Sequence, residues 1–268
     1  MLGNISLGRF YPAESLLHQL DPRSKILSAI AMMFLIFMSQ SLWTMLILAF
    51  ITFVFVGLSK VPFKTVLSGL KPMIFILVFA FTINLFTVTG DPLLEIGPLT
   101  VSDQGLLTAL RMASRLALLI LNTTLFLTLT TTPIHVADAM ESLLNPLRRI
   151  GFPAHEMAMM MSIALRFVPT LLEETDKIMK AQSSRGADYD TGGLITKARG
   201  LVSVLIPLFV SAFKRAEDLA VAMEARCYRG GEGRTRLKVM AYQQRDIWFG
   251  AVMAALVVLV LLASYAIG

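Results

Sequence analysis

The sequence predicts an all-α integral membrane protein: about five transmembrane helices, with further long amphipathic helices in the cytoplasm or at the membrane interface. Three observations carry that prediction. Of 268 residues, 56% are hydrophobic and only 16% charged, where a soluble domain has roughly a quarter of its residues charged. The mean hydropathy is +0.70, and the apolar residues come in long blocks, one of them uncharged from Ile26 to Ser59. Two later stretches, 154–186 and 194–230, keep helical spacing but change character halfway, from apolar to amphipathic.

The spans follow from span length and polar breaks. An uncharged block from 26 to 59 is too long for one span of about 20 residues. Ser39-Gln40-Ser41, with Trp43 beside it, supplies a turn at an interface, which places spans near 22–39 and 42–58. A third span fits 72–90 and a fourth fits 106–130. The fourth carries Arg111 and Arg115 four residues apart, on one helix face, where they are expected to snorkel. The last span is 247–267, opened by Trp248 and closed near Tyr265. The chain is thus organised as an N-terminal segment with four spans (1–130), an intervening region (131–245) and a C-terminal span (246–268).

Charge sets the expected orientation. The link after the second span carries Lys60, Lys64 and Lys71 without an acid. The link after the third carries Asp91, Glu95 and Asp103 without a base. Basic segments stay cytoplasmic, so the N-terminus is expected inside and, after five spans, the C-terminus outside. The formal charge of +6 is read the same way and not as a nucleic-acid surface. The first 25 residues lack the apolar core of a signal peptide. One cysteine, Cys227, permits no internal disulfide, and three scattered histidines make no metal motif.

Between spans four and five lie three predicted helices. The first, near 133–144, has Thr131 or Thr132 as cap and Pro133 in its first turn. Its stripe is Ile134, Ala137, Met140, Leu143 and Leu144. The second, 154–186, holds Arg166 and a methionine cluster that includes Met159 and Met160. Pro169 is expected to kink it, and it ends in Ser184-Arg185-Gly186. The third, 194–230, is broken by Pro207 and contains Ala225-Arg226-Cys227 near its end. Arg166 is expected either to pair with Glu173 or Glu174 across the proline or to face the cytoplasmic boundary. His135 and His155 are expected on helix surfaces.

Several functions are disfavoured by these residues. The glycines at 230, 231 and 233 follow no apolar strand and precede no Gly-Lys-Ser/Thr, so the chain is not expected to bind ATP. No nucleophile, metal cluster or acid pair is arranged for chemistry, and a lipid-modifying enzyme should show one at the interface. A self-sufficient secondary transporter or channel is the alternative. It usually needs polar residues within its spans, and 26–59 and 72–90 carry no charge.

Taken in order, four segments resemble one family. They are "GRFYPAESLLHQLDPRSKIL" with its Asp21-Pro22-Arg23-Ser24-Lys25 core, "GFPAHEMAMMMSIALRFVPTLLEE", "AQSSRGAD" and "AMEARCYRG". Together they resemble the transmembrane T component of energy-coupling factor (ECF) transporters of prokaryotic cell membranes. These are ATP-driven importers of vitamins and some transition-metal ions. The resemblance implies a non-catalytic scaffold with two partner ABC-type ATPases, which hold ATP and magnesium, and a small substrate-binding S component. It makes 131–245 a cytoplasmic coupling region. It implies that Arg185, flanked by Ser184 and Gly186, and Arg226, flanked by Ala225 and Cys227, dock on the two ATPases. The family pattern has Gly after the second Arg, where this chain has Cys227; Arg229-Gly230 is the alternative register. Asp21, Pro22, Arg23, Met159, Met160, Arg166 and Pro169 become candidates for structural roles or for contact with the S component. The chain itself is expected to bind no cofactor, no metal and no nucleic acid.

Overall fold

A computed structural model describes residues 10–96, 99–187, 193–230 and 241–267. In chain order the elements are α1 (Leu16–Gln19), α2 (Pro22–Met38), α3 (Leu42–Ser59), α4 (Phe63–Ser68), a 3-10 turn (Lys71–Met73) and α5 (Ile74–Thr87). Strands β1 (Pro92–Ile96) and β2 (Leu99–Ser102) follow, then α6 (Asp103–Thr123) with a π-helical turn (Thr124–Leu129). The rest is α7 (Pro133–Leu144), a 3-10 turn (Asn145–Ile150), α8 (Ala154–Ser184), α9 (Leu194–Ala225) and α10 (Gln244–Ile267). The chain divides into two compact units. A membrane unit takes in Gly8–Ala139 with Lys238–Gly268, and an arm unit takes in Met140–Leu237.

Among the described residues four helical stretches are long and apolar enough to cross a membrane: Leu42–Ser59, Phe63–Thr87, Asp103–Leu129 and Gln244–Ala263. The first of the five expected spans is α2. It has 17 residues and carries Arg23 and Lys25 in its first turn, so it is shorter than the other four. It is nevertheless central to the core, packing on α6 and α10. Met32, Leu35 and Ile36 of α2 meet Leu48 and Phe55 of α3 and Phe126 of the π turn. Phe55 and Phe126 meet edge to face, centroids 5.5 Å apart. Lipid is as apolar as these side chains, so close packing rather than exclusion of water holds such helices together. For the same reason Phe75 of α5, 78% exposed, needs no aqueous explanation.

Hydroxyls within these helices satisfy themselves locally. Thr52 donates to the Leu48 carbonyl (2.8 Å) and Ser28 to the Ser24 carbonyl (2.7 Å). Asn122 of α6 reaches across to the Thr52 hydroxyl at 2.9 Å. The Ser-Gln-Ser break is the predicted turn: Ser39 caps α2, and Ser41 accepts from the Trp43 amide to open α3. Arg115 of α6 reaches this turn: its Nη2 donates to the Ser39 carbonyl at 2.6 Å, closing the C-terminal end of α2 from the neighbouring helix.

The acidic link at 89–105 contains a β-hairpin, β1 antiparallel to β2. With only short strands and no alternating stripe, the sequence carried little period-2 signal there. Ser102, the last residue of β2, accepts from the Gly105 amide and caps the start of α6.

In the arm unit, α8 and α9 are 31 and 32 residues long. Each runs through its proline, Pro169 or Pro207, without interruption. A proline removes one donor from the ladder, and the remaining turns continue on either side. At α7 the stripe is realised only in part: Ala137 is buried, but Ile134 and Met140 are exposed. Thr132 is the cap, its carbonyl accepting from the Val136 amide at 3.0 Å.

Candidate functional site

The two arms end in the same backbone device. At the end of α8, Arg185 is the cap residue and Gly186 turns into the left-handed region, φ 87°. The Gly186 amide donates to the Ser183 carbonyl and the Ala187 amide to the Gln182 carbonyl, each at 3.0 Å. At the end of α9, Arg226 is the cap residue and Cys227 takes the left-handed place, φ 56°. Its amide donates to the Glu224 carbonyl at 2.8 Å, and the Tyr228 amide to the Met223 carbonyl at 3.0 Å. Both are Schellman motifs, with the paired 5→2 and 6→1 bonds that satisfy the last carbonyls. Each therefore sets an arginine at the identical position, one residue before the chain reverses.

Arg226, not Arg229, is the counterpart of Arg185. The helix expected to run to 230 stops at Ala225 because Cys227 accepts the conformation usually reserved for glycine. Arg185, Arg226 and their neighbours Ser184, Gly186, Ala225 and Cys227 are all exposed. Cys227 is a free thiol. An exposed guanidinium offers five donors in a rigid fork suited to a carboxylate.

The arms pack on each other in antiparallel sense. Glu174 of α8 accepts from Arg215 Nη2 of α9 at 2.6 Å and also from the Ser211 hydroxyl. Ile163, nearer the start of α8, lies beside Leu219 and Met223, nearer the end of α9. Arg185 lies eleven residues past Glu174, and Arg226 eleven residues past Arg215. Each tip is therefore roughly 16 Å of helix from one shared polar contact. The Ser211 hydrogen bond, with help from the Arg215 charge, holds the Glu174 carboxyl below its ordinary range. Glu174 thus serves α9 and not Arg166, which is exposed on α8. Nothing in the spacing announced this pair, because its members are 41 positions apart and Arg215 has acids beside it in sequence.

Other predicted residues fall in separate places. Met159 lines an open groove of about 660 Å³ together with Ile163, Leu219, Met223, Arg226 and Cys227, so it is brought beside the second tip. Met160 and Pro169 are exposed on α8. Asp21, Pro22 and Arg23 lie in the membrane unit, where they start α2. His135 is on the surface as expected. His155 is not: it is half-buried, its Nδ1 3.0 Å from Glu141 Oε1, tying the start of α8 to α7. Among the described residues no group of three or more His, Cys, Asp or Glu side chains could hold a metal ion.

Comparison with known proteins points to one family. The family described as CbiQ, cobalt transport protein, matches residues 13–237. Curated relatives are similar over nearly their whole length. The chain is 51% identical over 265 residues to the energy-coupling factor transporter transmembrane protein EcfT of Ruminiclostridium cellulolyticum, covering 99% of each chain. It is 48% identical over 261 residues to the EcfT protein of Acidaminococcus fermentans, covering 97% of this chain and 96% of that one. It is 46% identical over 265 residues to the EcfT protein of Bacillus subtilis, covering 98% and 97%.

Proposed function

The chain belongs to the family of energy-coupling factor transporter transmembrane proteins, and from that premise we propose that it couples ATP hydrolysis by two cytoplasmic ABC-type ATPases to movement of a substrate-binding S component. The cargo is a vitamin or a related micronutrient, selected by the S component. The chain is the scaffold and does no chemistry; ATP and magnesium belong to the partner ATPases. It sits in a prokaryotic cell membrane with its N-terminus cytoplasmic and its C-terminus outside, an orientation that rests on the basic links.

The observation that carries this reading is the pair of identical caps. Two long helices, bonded to each other midway, each end in an exposed arginine held by the same two backbone hydrogen bonds. Two equivalent tips suit two equivalent ATPase subunits. A guanidinium seated in an acidic groove forms charge-assisted, bidentate bonds, and a capped helix end transmits a rigid-body displacement without fraying. Truncating such an arginine should cost on the order of 2–5 kcal/mol of contact, as for buried interfacial charge pairs.

The test is an affinity pull-down from the native membrane, wild type against Arg185→Ala with Arg226→Ala. Two ABC ATPases should accompany the wild type and be lost from, or uncoupled in, the double variant. Mass spectrometry of the remaining small membrane partner would identify the S component. Equal ATPase recovery with uptake intact would refute the role of these two arginines. No ATPase with the wild type in mild detergent would refute the scaffold reading.

A further inference from the structure

The buried polar cluster at the cytoplasm-facing start of α2 has no part in the tips, yet it gathers four helix ends on two side chains. Lys25, 2% exposed, is among the most buried large residues described. Its ammonium donates to the Thr130 carbonyl at 2.8 Å, just past the π turn that ends α6, and to the His18 carbonyl at 3.2 Å, in the last turn of α1. Asp246, 5% exposed, accepts from two amides. Its Oδ2 accepts from Gln243 at 2.9 Å, the reciprocal half of a capping box that opens α10. Its Oδ1 accepts from the Asp21 amide at 2.7 Å, at the cap of α2. A carboxylate on two helix N-termini and an ammonium on two helix C-terminal carbonyls is the arrangement helix dipoles favour.

More contacts join the same segments. Arg23 lies over the Tyr242 ring, 5.4 Å from its centroid, and Arg245 donates to Gln19. The Tyr11 amide donates to the Leu129 carbonyl at 3.1 Å. The N-terminal segment is thereby tied both to 129–130 and to 242–246. Those two places flank the arm unit in the chain: residues 129–130 come before it and 242–246 after it, both within the membrane unit. One cluster therefore ties together the membrane-unit segments on either side of the arms.

We propose that Lys25 and Asp246 form a fixed anchor that holds together the two membrane-unit segments flanking the arm unit in the chain, and that they are positioning residues for energy coupling. A displacement imposed on the tips does work on the membrane unit only if those segments do not yield. A buried cation on two carbonyls and a buried carboxylate on two amides are costly to separate, because each would be left unpaired. The Asp21-Pro22-Arg23-Ser24-Lys25 run then has a joint purpose: a cap, a helix start and an anchor cation within one turn.

This inference rests on the coupling reading, and the experiment separates the two. Complexes of wild type, Lys25→Met and Asp246→Asn are reconstituted in vesicles at matched ATPase content. Uptake and ATP hydrolysis are measured in the same sample. Both variants should retain the two ATPases but take up about two- to thirtyfold less substrate per ATP, the range for a perturbed coupling contact. A merely structural role would lower the amount of complex and leave uptake per ATP unchanged, and that result overturns the anchor alone. Should both buried variants fail to accumulate, Tyr242→Leu with Arg245→Gln loosens the same junction from its exposed rim. Unchanged uptake per ATP there also overturns the inference. A wild-type chain that brings down no ATPase removes the coupling reading and the anchor with it.

Discussion

The second tip closes with a cysteine where the first has glycine, and the difference has a calculable consequence. Cys227 sits at φ 56°, a conformation that costs an L-residue about 1–2 kcal/mol and glycine nothing. Glycine in turn loses about 0.5–1 kcal/mol more backbone entropy on ordering. The net gain for Cys227→Gly is therefore about 0.5–1 kcal/mol, a two- to fivefold change in local opening, since about 1.4 kcal/mol is tenfold. The reverse change, Gly186→Ala, should cost at least as much, because φ 87° lies further from the left-handed minimum near 57°. A Cβ at Gly186 would meet nothing within 4 Å, so the cost is conformational and not steric. Hydrogen exchange of the purified chain in nanodiscs reads this directly at the amides that make the caps. Exchange at Cys227 and Tyr228 should slow two- to fivefold in Cys227→Gly, and exchange at Gly186 and Ala187 should quicken about fivefold in Gly186→Ala. Cys227→Ala is the control and should match wild type within a few tenths of a kcal/mol, since alanine also carries a Cβ. If Cys227→Ala and Cys227→Gly behave alike, the thiol and not the backbone angle governs the tip, and the reasoning fails.

Two further outcomes follow from contacts the sequence did not announce. The folded Glu174 carboxyl titrates below its unfolded value, so its contribution to the α8–α9 contact is complete above the ordinary carboxylate range and fades as pH falls through the lowered value. Exchange measured across the two helices should show loosening only in acid, below about pH 4.5. Glu174→Gln should abolish that step and lose about 0.5 kcal/mol at neutral pH; an unchanged acid step in the variant rules out Glu174 as its source. At the other site, Arg115→Met leaves the Ser39 carbonyl without its donor and should destabilise the membrane unit by about 1–3 kcal/mol in denaturant titration. Arg115→Lys should recover only part of the loss; full recovery would show that the site needs a charge at the interface rather than a fork on a carbonyl.

Much of the architecture was legible because membrane spans are written in local terms. Backbone groups in lipid must be satisfied within the segment, so a long apolar run dictates a helix whatever surrounds it. The spans at 42–58, 72–90, 106–130 and 247–267 follow from that alone, and the Ser39–Ser41 turn follows from hydroxyls that cap helices at both its ends. The helix end at Arg185 was legible for a similar reason, since glycine and arginine at a C-terminus act through their own turn; the end at Arg226 was not, because a cysteine takes the left-handed place and stops the helix short of the expected 230.

Tertiary structure decided whatever depends on partners distant in sequence. The carbonyl that Arg115 caps lies 76 positions away. Glu174 had a basic neighbour on its own helix and was taken by α9 instead. His155 looked like a surface residue until α7 supplied Glu141. Lys25 and Asp246 belong to opposite ends of the chain, and only packing brings α2, α10 and the end of α6 to one point. A hydrophobic period records which face of a helix is apolar. It contains no information about which carbonyl or carboxylate another helix will place opposite a charge, because that depends on crossing geometry set by the whole core. Helices, spans and the first tip were thus written in the sequence, whereas the end of the second arm and the bonds that join the helices were settled by the fold.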